Sequence, residues 1–193
     1  MPWHKNYDKT RVLESAMKAF WSRGYEATSM HDLVEATGIN RGSIYNAFPN
    51  KHALFMSALD HYDRIYRIEH LDRIIEKYTP LEAIIAVFES AAAKPADNGT
   101  PWGCLLVNTA LELSPHDPEV AKFIDRSLKG VEAFFFSCIE SAKEEKSIKA
   151  SLNSRSTAQA LLSLFLGLRV LTRTNTRQSI IEAVTSQARM MLV

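Results

Sequence analysis

The sequence predicts an all-α protein, in which a small N-terminal unit of three short helices is fused through a fourth to a larger helical region. Three observations lead there. Apolar residues recur at helical spacing along nearly the whole chain. No stretch sustains the two-residue alternation of a half-buried strand. Asp, Ser, Asn, Gly and Pro fall where helices begin and end.

Taken in order, Asp8 is placed to cap a first helix whose buried face is Val12, Leu13, Ala16, Ala19 and Phe20, and Gly24 ends it. Ser29, three residues before Asp32, opens a second helix in a capping-box pattern, and Gly38 stops it after about two turns. Ile39 plugs the turn and Asn40 caps a very short third helix over residues 41–47. Pro49 forces Phe48 out of the helical region and ends that helix. Asn50 then caps a long fourth helix carrying Leu54, Phe55, Ala58, Leu59, Tyr62, Ile65, Ile68 and Leu71.

Beyond residue 75 the helices lengthen. Thr79-Pro80 opens one that ends near Ala93, and "KPADNGTPWG" is expected to be a loop. A helix follows from about Cys104 to Leu113. Asp117, Pro118 and Glu119 are the first residues of a long helix reaching about Lys146. Ser154 is expected to cap a helix to about Arg173, and Thr176 the last one.

Composition narrows the function classes. Of 193 residues, 46% are apolar, enough for a core, and 23 basic against 22 acidic side chains leave a net charge of +1. Any charged partner must therefore be met by local distribution. Cys104 and Cys138 are too few and too unpatterned for a disulfide framework or a zinc site, which favours a reducing compartment. With no apolar leader and no membrane-length apolar run, a cytoplasmic location is expected, with no cofactor and no metal.

Two short helices joined by a Gly-containing turn, the second with a polar N-terminus, form a helix-turn-helix. In that motif the first residues of the second helix meet base edges in the major groove of double-stranded DNA. Here Arg41 suits guanine or phosphate, Gly42 permits close approach, and Ser43 and Asn46 can read edges. Tyr45 and Lys51 suit phosphate, and Thr28 and Ser29 stand at a helix N-terminus that favours an anion. Lys5, Lys9, Arg11, Lys18, Arg23, Arg41 and Lys51 outnumber Asp8, Glu14, Glu26, Asp32 and Glu35 in this region. An ordinary three-helix packing unit would place Ile44 and Phe48 in the core equally well.

The stretch "AFWSRGYEATSMHDLVEATGINRGSIYNAFPNKHALF" closely resembles the TetR/AcrR family of bacterial transcription regulators. The family pattern runs from an alanine-phenylalanine helix through G-Y-x-x-T-[ST] and a G-[VI] turn to [KR]-G-[ST]-[LIV]-Y-x-[HY]-F. The resemblance implies that Thr28, Ser29, Arg41, Gly42, Ser43, Tyr45, Asn46 and Lys51 face DNA. Ala47 departs from it, standing where His or Tyr is usual, and puts one DNA contact in doubt. The expected organisation is a DNA-binding domain over residues 1–50 and an effector-binding and dimerisation domain over residues 51–193. "WGCLLVNTALELSPHDPEV" and "GLRVLTR" resemble a common subgroup less specifically.

The family works as homodimers on near-palindromic operators. The last two helices are apolar over more than one face, so Leu161, Leu164, Phe165, Leu168, Ile180, Val184, Ala188 and Met191 are expected to form the seam, with Gly167 permitting close approach. Intrachain packing is the alternative. A small apolar or aromatic effector of unknown identity is expected among Phe88, Trp102, Cys104, Val107, Leu111, Phe134, Phe135, Phe136, Cys138 and Phe165. Asn108 and Glu112, one turn apart, would supply polar contacts. Each aromatic taken singly is also explained by core packing.

Cys104 begins a helix, where the dipole favours thiolate, and some regulators resembling this subgroup use a cysteine nearby to sense electrophiles or oxidants. An inert core thiol is the alternative, and the better account of Cys138. The function expected is a repressor released by a small effector or by cysteine modification. The competing readings are an all-α enzyme using Cys104 as nucleophile, for which no oxyanion hole or orienting group is evident, and an effector-independent structural DNA-binding protein.

Overall fold

The computed structural model of the protein describes residues 8–92, 96–97, 100–174 and 176–192. Lys5 lies outside the described residues, as does part of the expected loop. α1 (Lys9–Arg23) starts where the Asp8 carboxylate accepts the Thr10 N–H at 2.9 Å and stops at Gly24. α2 (Met30–Thr37) carries the full Ser29–Asp32 capping box. Gly38 follows in the left-handed conformation, φ 69° and ψ 10°, a cheap conformation for a residue without Cβ. Asn40 accepts the Ser43 N–H at 2.8 Å and opens α3 (Arg41–Ala47), which Phe48 ends in extended backbone.

α4 (Lys51–Asp63), capped by Asn50, is not one uninterrupted α-helix as expected. A π-helical turn over Arg64–Ile68 joins it to α5 (Glu69–Lys77). Such a turn shifts the side-chain register in mid-rod and is frequent at functional sites. α6 (Pro80–Ala92), α7 (Leu105–Glu112), α8 (Pro118–Glu144), α9 (Ser154–Leu171) and α10 (Gln178–Met190) complete the chain. The cap of α9 is Asn153 rather than Ser154, and α10 follows Arg177 with no side-chain cap. Between α6 and α7, β1 (Ala96–Asp97) pairs antiparallel with β2 (Thr100–Pro101), too short a ladder to leave an alternating signature.

Two apolar cores result. The first runs from Val12, Phe20, Leu33 and Ile44 through Phe55 and Leu59 to Leu105, Leu106, Val120 and Phe123. It therefore crosses from the N-terminal helices onto α7 and the start of α8. The second packs α5 and α6 against the later part of α8, α9 and α10 through Ile84, Phe88, Phe135, Leu161, Leu168 and Ile181. Burying one side chain such as Phe20 is worth about 1.5–3 kcal/mol. The expected division after residue 50 falls at the start of α4, a helix that packs on α1 as well as α7. Among the described residues no helix is long and apolar enough to cross a membrane.

Candidate functional site

The outer end of α2 and α3 presents a polar surface. Arg41, Gly42, Tyr45 and Asn46 are exposed on α3, with Ser43 half-buried beside them. Ile44 and Phe48, on the opposite side, are buried in the first core. The Arg41 guanidinium lies 5.6 Å from the Tyr45 ring centre and 3.4 Å from its hydroxyl, so the two side chains form one patch. Lys51 sits 4.2 Å above the Tyr25 ring, a cation–π contact that holds its ammonium at this end. Ser29 is exposed, and its hydroxyl is shared with Asp32, which also takes Arg23 at 2.5 Å. The Ser29 hydroxyl and N–H, together with Arg23, bring the Asp32 carboxyl down to about 2. Thr28 corrects the expectation: it is fully buried, and its hydroxyl donates to the Gly24 carbonyl at 2.6 Å, closing the turn before α2.

A cavity of about 550 Å³ is lined by residues of both cores, from α1, α4, the π turn and helices α5 to α9. Of the expected effector residues, Cys104, Val107 and Phe165 line it. The remainder of the wall was not anticipated: Trp21, Tyr62, Tyr66, His70, Leu106, Val131 and Arg169 are among its residues. The π turn brings Ile65, Tyr66 and Arg67 to the cavity. Tyr62 stacks on Tyr66 at 4.8 Å, and Trp21 meets Tyr62 edge-on at the same distance.

Phe88, Phe134, Phe135 and Cys138 do not line the cavity. They form the core behind it, with Phe88 and Phe135 stacked at 5.9 Å and Phe165 edge-on to both. Burial pushes the Cys138 thiol up to about 11. Trp102 packs on Trp21 at 5.3 Å, and its carbonyl accepts the Asn108 side-chain N–H at 2.9 Å, so neither faces the cavity. Leu111 is 72% exposed and Phe136 is also exposed. Glu112 turns the other way, toward the end of α1.

Cys104 is the residue before α7, buried, with no capping side-chain bond. The Tyr62 hydroxyl donates to its Sγ at 3.5 Å and accepts from Arg169 Nη2 at 3.5 Å. Burial, then the neighbouring Cys104, raises the Tyr62 hydroxyl well above its ordinary value, so it remains a donor. A cysteine nucleophile needs a base beside it, and the histidine nearest Cys104 in the sequence, His116, is exposed while Cys104 is buried. Among the described residues no group of three His, Cys, Asp or Glu side chains is arranged for a metal ion.

The family model for bacterial regulatory proteins of the tetR family matches residues 12–58, and that for a tetracyclin repressor-like C-terminal domain matches residues 80–188. The chain belongs to the TetR family. It is 31% identical over 163 residues, 84% of this chain and 82% of the relative, to the HTH-type transcriptional regulator YezE of Bacillus subtilis (strain 168). It is 37% identical over 118 residues to the HTH-type transcriptional repressor ComR of Escherichia coli (strain K12), covering 61% of this chain and 56% of that one. A solved structure of a cysteine mutant of the TetR-family regulator CifR, complexed with 26-base-pair double-strand operator DNA, superposes with a TM-score of 0.83 at 26% identity, over 97% of this chain and 98% of that one.

Polar contacts tie the N-terminal helices to the later ones: near the end of α1 the Trp21 Nε1–H donates to the Gly103 carbonyl at 3.3 Å, just before α7. Glu112, at the end of α7, accepts the Tyr25 N–H at 3.1 Å and the Glu26 N–H at 2.8 Å in the turn after α1. His52 of α4 meets the Asp117 carboxylate at 2.7 Å. Asp117 also caps α8, and its carboxyl is held below its ordinary value, chiefly by the Val120 N–H. The expected seam is divided: Leu161, Leu168 and Ala188 are fully buried within one chain, because α9 and α10 first pack against α6 and α8. Ile180 is exposed, while Leu164, Phe165, Val184 and Met191 are half-buried.

Proposed function

We propose that this protein is a homodimeric repressor that binds a near-palindromic operator through paired α3 helices and releases it when the cavity is filled or Cys104 is modified. The observation that carries the reading is the exposed row Arg41, Gly42, Tyr45 and Asn46 on a helix whose other side is core. Such a helix offers polar groups to a groove while being held rigidly behind. The relatives named as repressor and as operator-bound regulator support the same assignment.

In this reading residues 1–50 form the reading head, with Arg41, Ser43, Tyr45 and Asn46 toward base edges and Ser29 and Lys51 toward phosphate. Residues 51–193 form the sensing and pairing domain. Each α3 enters a major groove, the two about 34–36 Å apart or a multiple of it. A ligand that widens the cavity displaces α4 and the α7 end, and the Glu112 contact with the turn after α1 carries that displacement to the head. The two sites need only prefer different spacings, by about 1–3 kcal/mol. The dimer face is the accessible side of α9 and α10: Leu164, Gly167, Val170, Ile180, Val184 and Met191.

A gel shift on the chromosomal region beside the gene tests the assignment. Wild-type protein retains a fragment of that region, and Arg41→Ala retains it about 5- to 150-fold more weakly. Failure of the wild type to retain any fragment at low salt refutes it. For the dimer, Val170→Glu and Ile180→Glu place charges on exposed positions, so each chain stays folded while sedimentation shows monomers. Folded, fully dimeric variants would move the interface elsewhere.

A further inference from the structure

The charges around the cavity are of one sign. Among the described residues Arg67, Arg73 and Arg169 line it, and no Asp or Glu does. Two of the three are accounted for. Arg67 gives two 2.6 Å hydrogen bonds to Asp63, and Arg73 is exposed. Arg169 is different. It stands on α9 among Leu162, Leu164, Phe165, Leu166, Leu168 and Val170, the one charge of that apolar run.

Its Nε is shut off from solvent and has no hydrogen-bond partner among the described residues. Its Nη1 reaches the Ala91 carbonyl at 3.4 Å and its Nη2 the Tyr62 hydroxyl at 3.5 Å, both at the outer limit of a hydrogen bond. Among the described residues no carboxylate forms an ion pair with it. Burial works against its charge, but Cys104 and Tyr62 raise the guanidinium above its ordinary range and it stays protonated. A guanidinium withdrawn from water without a carboxylate is costly, and a planar fork of N–H donors is matched by two oxygens of one anion.

We propose that the cavity takes a small amphipathic oxyanion, a carboxylate on an apolar or aromatic body, with its head on Arg169 and the Tyr62 hydroxyl. The body lies against Leu71, Val87, Leu106, Val131 and Phe165, which make the wall apolar. A neutral ligand leaves the guanidinium unpaired, and a cation meets the uncompensated charge of Arg169. The proposal rests on the reading that this cavity is the effector site, and it names the class of effector.

A matched pair of fluorescent probes tests it on the full-length dimer: anilinonaphthalene sulfonate and phenylnaphthylamine, the same rings without the sulfonate. Wild-type protein binds the sulfonate dye about tenfold or more tightly than the neutral one, the range of a charge-assisted hydrogen bond. Arg169→Met lowers affinity for the sulfonate dye by a similar factor and leaves the neutral dye unchanged, while Arg169→Lys, which keeps the charge, retains most of the preference. Circular dichroism melts verify that both variants are folded, and the lysine variant decides the matter if the methionine one is not. An unchanged sulfonate preference in Arg169→Met, or its loss in folded Arg169→Lys to the level of the neutral dye, overturns the oxyanion head; binding of the neutral dye would then leave the effector site in place. If neither dye binds the wild type, both the head group and the cavity as effector site are overturned.

Discussion

Removing the Glu112 carboxylate should loosen the joint between the end of α7 and the turn after α1. Glu112 accepts two backbone N–H groups, from Tyr25 and Glu26, at 3.1 and 2.8 Å. Hydrogen bonds to an ionised acceptor are worth about 1.5–3 kcal/mol each. Glu26 is exposed and Tyr25 half-buried, so water can replace part of that on truncation. The net cost of Glu112→Ala is then about 2 kcal/mol, or about 4–8 °C in melting temperature for a chain of this length if it unfolds as one unit. Gly24 supplies an internal control. Its φ of 91° and ψ of 169° are open to glycine alone, and a Cβ there would stand 2.9 Å from Glu112 Oε2. Gly24→Ala therefore suffers backbone strain and a clash in the wild type, but strain alone in the Glu112→Ala background. Urea unfolding of the wild type, the two single variants and the double variant measures this, and gel shifts with and without effector measure the coupling. A Glu112→Ala protein as stable as wild type, or an equal cost of Gly24→Ala in both backgrounds, would refute the reasoning.

Arg41→Ala should weaken operator binding by about 1–3 kcal/mol and relax one base pair per half-site; unchanged binding by folded protein, seen in gel shifts across single-base operator variants, would remove α3 from the groove. Cys104 is buried at the cavity wall, so a small electrophile that enters the cavity should label it and release DNA, while a bulky one should label it slowly. Cys104→Ser should lose that response and Cys138→Ser should keep it, and mass spectrometry alongside the gel shift separates labelling from unfolding. Burial lowers the His70 and His61 imidazoles from their ordinary values. Their contribution to stability is therefore complete above about pH 6.5 and is lost as pH falls through the lower folded values. Urea midpoints between pH 5 and 7.5 should fall with acid, and His70→Gln should flatten the slope; an unaltered slope would show that His70 titrates normally.

What the sequence determined by itself is what neighbours within one turn can determine. Asp8, Ser29, Asn40, Asn50 and Asp117 cap helices because their oxygens meet N–H groups two or three residues on, and Gly38 turns the chain because no Cβ obstructs it. The short α3 with its exposed Arg41, Tyr45 and Asn46 follows from those stops, so their exposure was legible, while the burial of Thr28 was not. Thr28 is buried because its hydroxyl closes a turn, a use the spacing alone does not reveal.

Only the tertiary structure decided which apolar faces are spent inside the chain. Leu161 and Leu168 satisfy the spacing of a dimer seam and of a core equally well, and packing against α8 made them core. The same holds for the Phe88–Phe135 pair, which fills the second core rather than the cavity. Glu112 reads as a polar cavity residue until α1 is placed beside it. Arg169 did leave a sequence signal, a lone charge in the apolar run of α9, but its meaning depends on where the acids are. Helical spacing sets which side chains share a face; only the assembled helices set what that face meets.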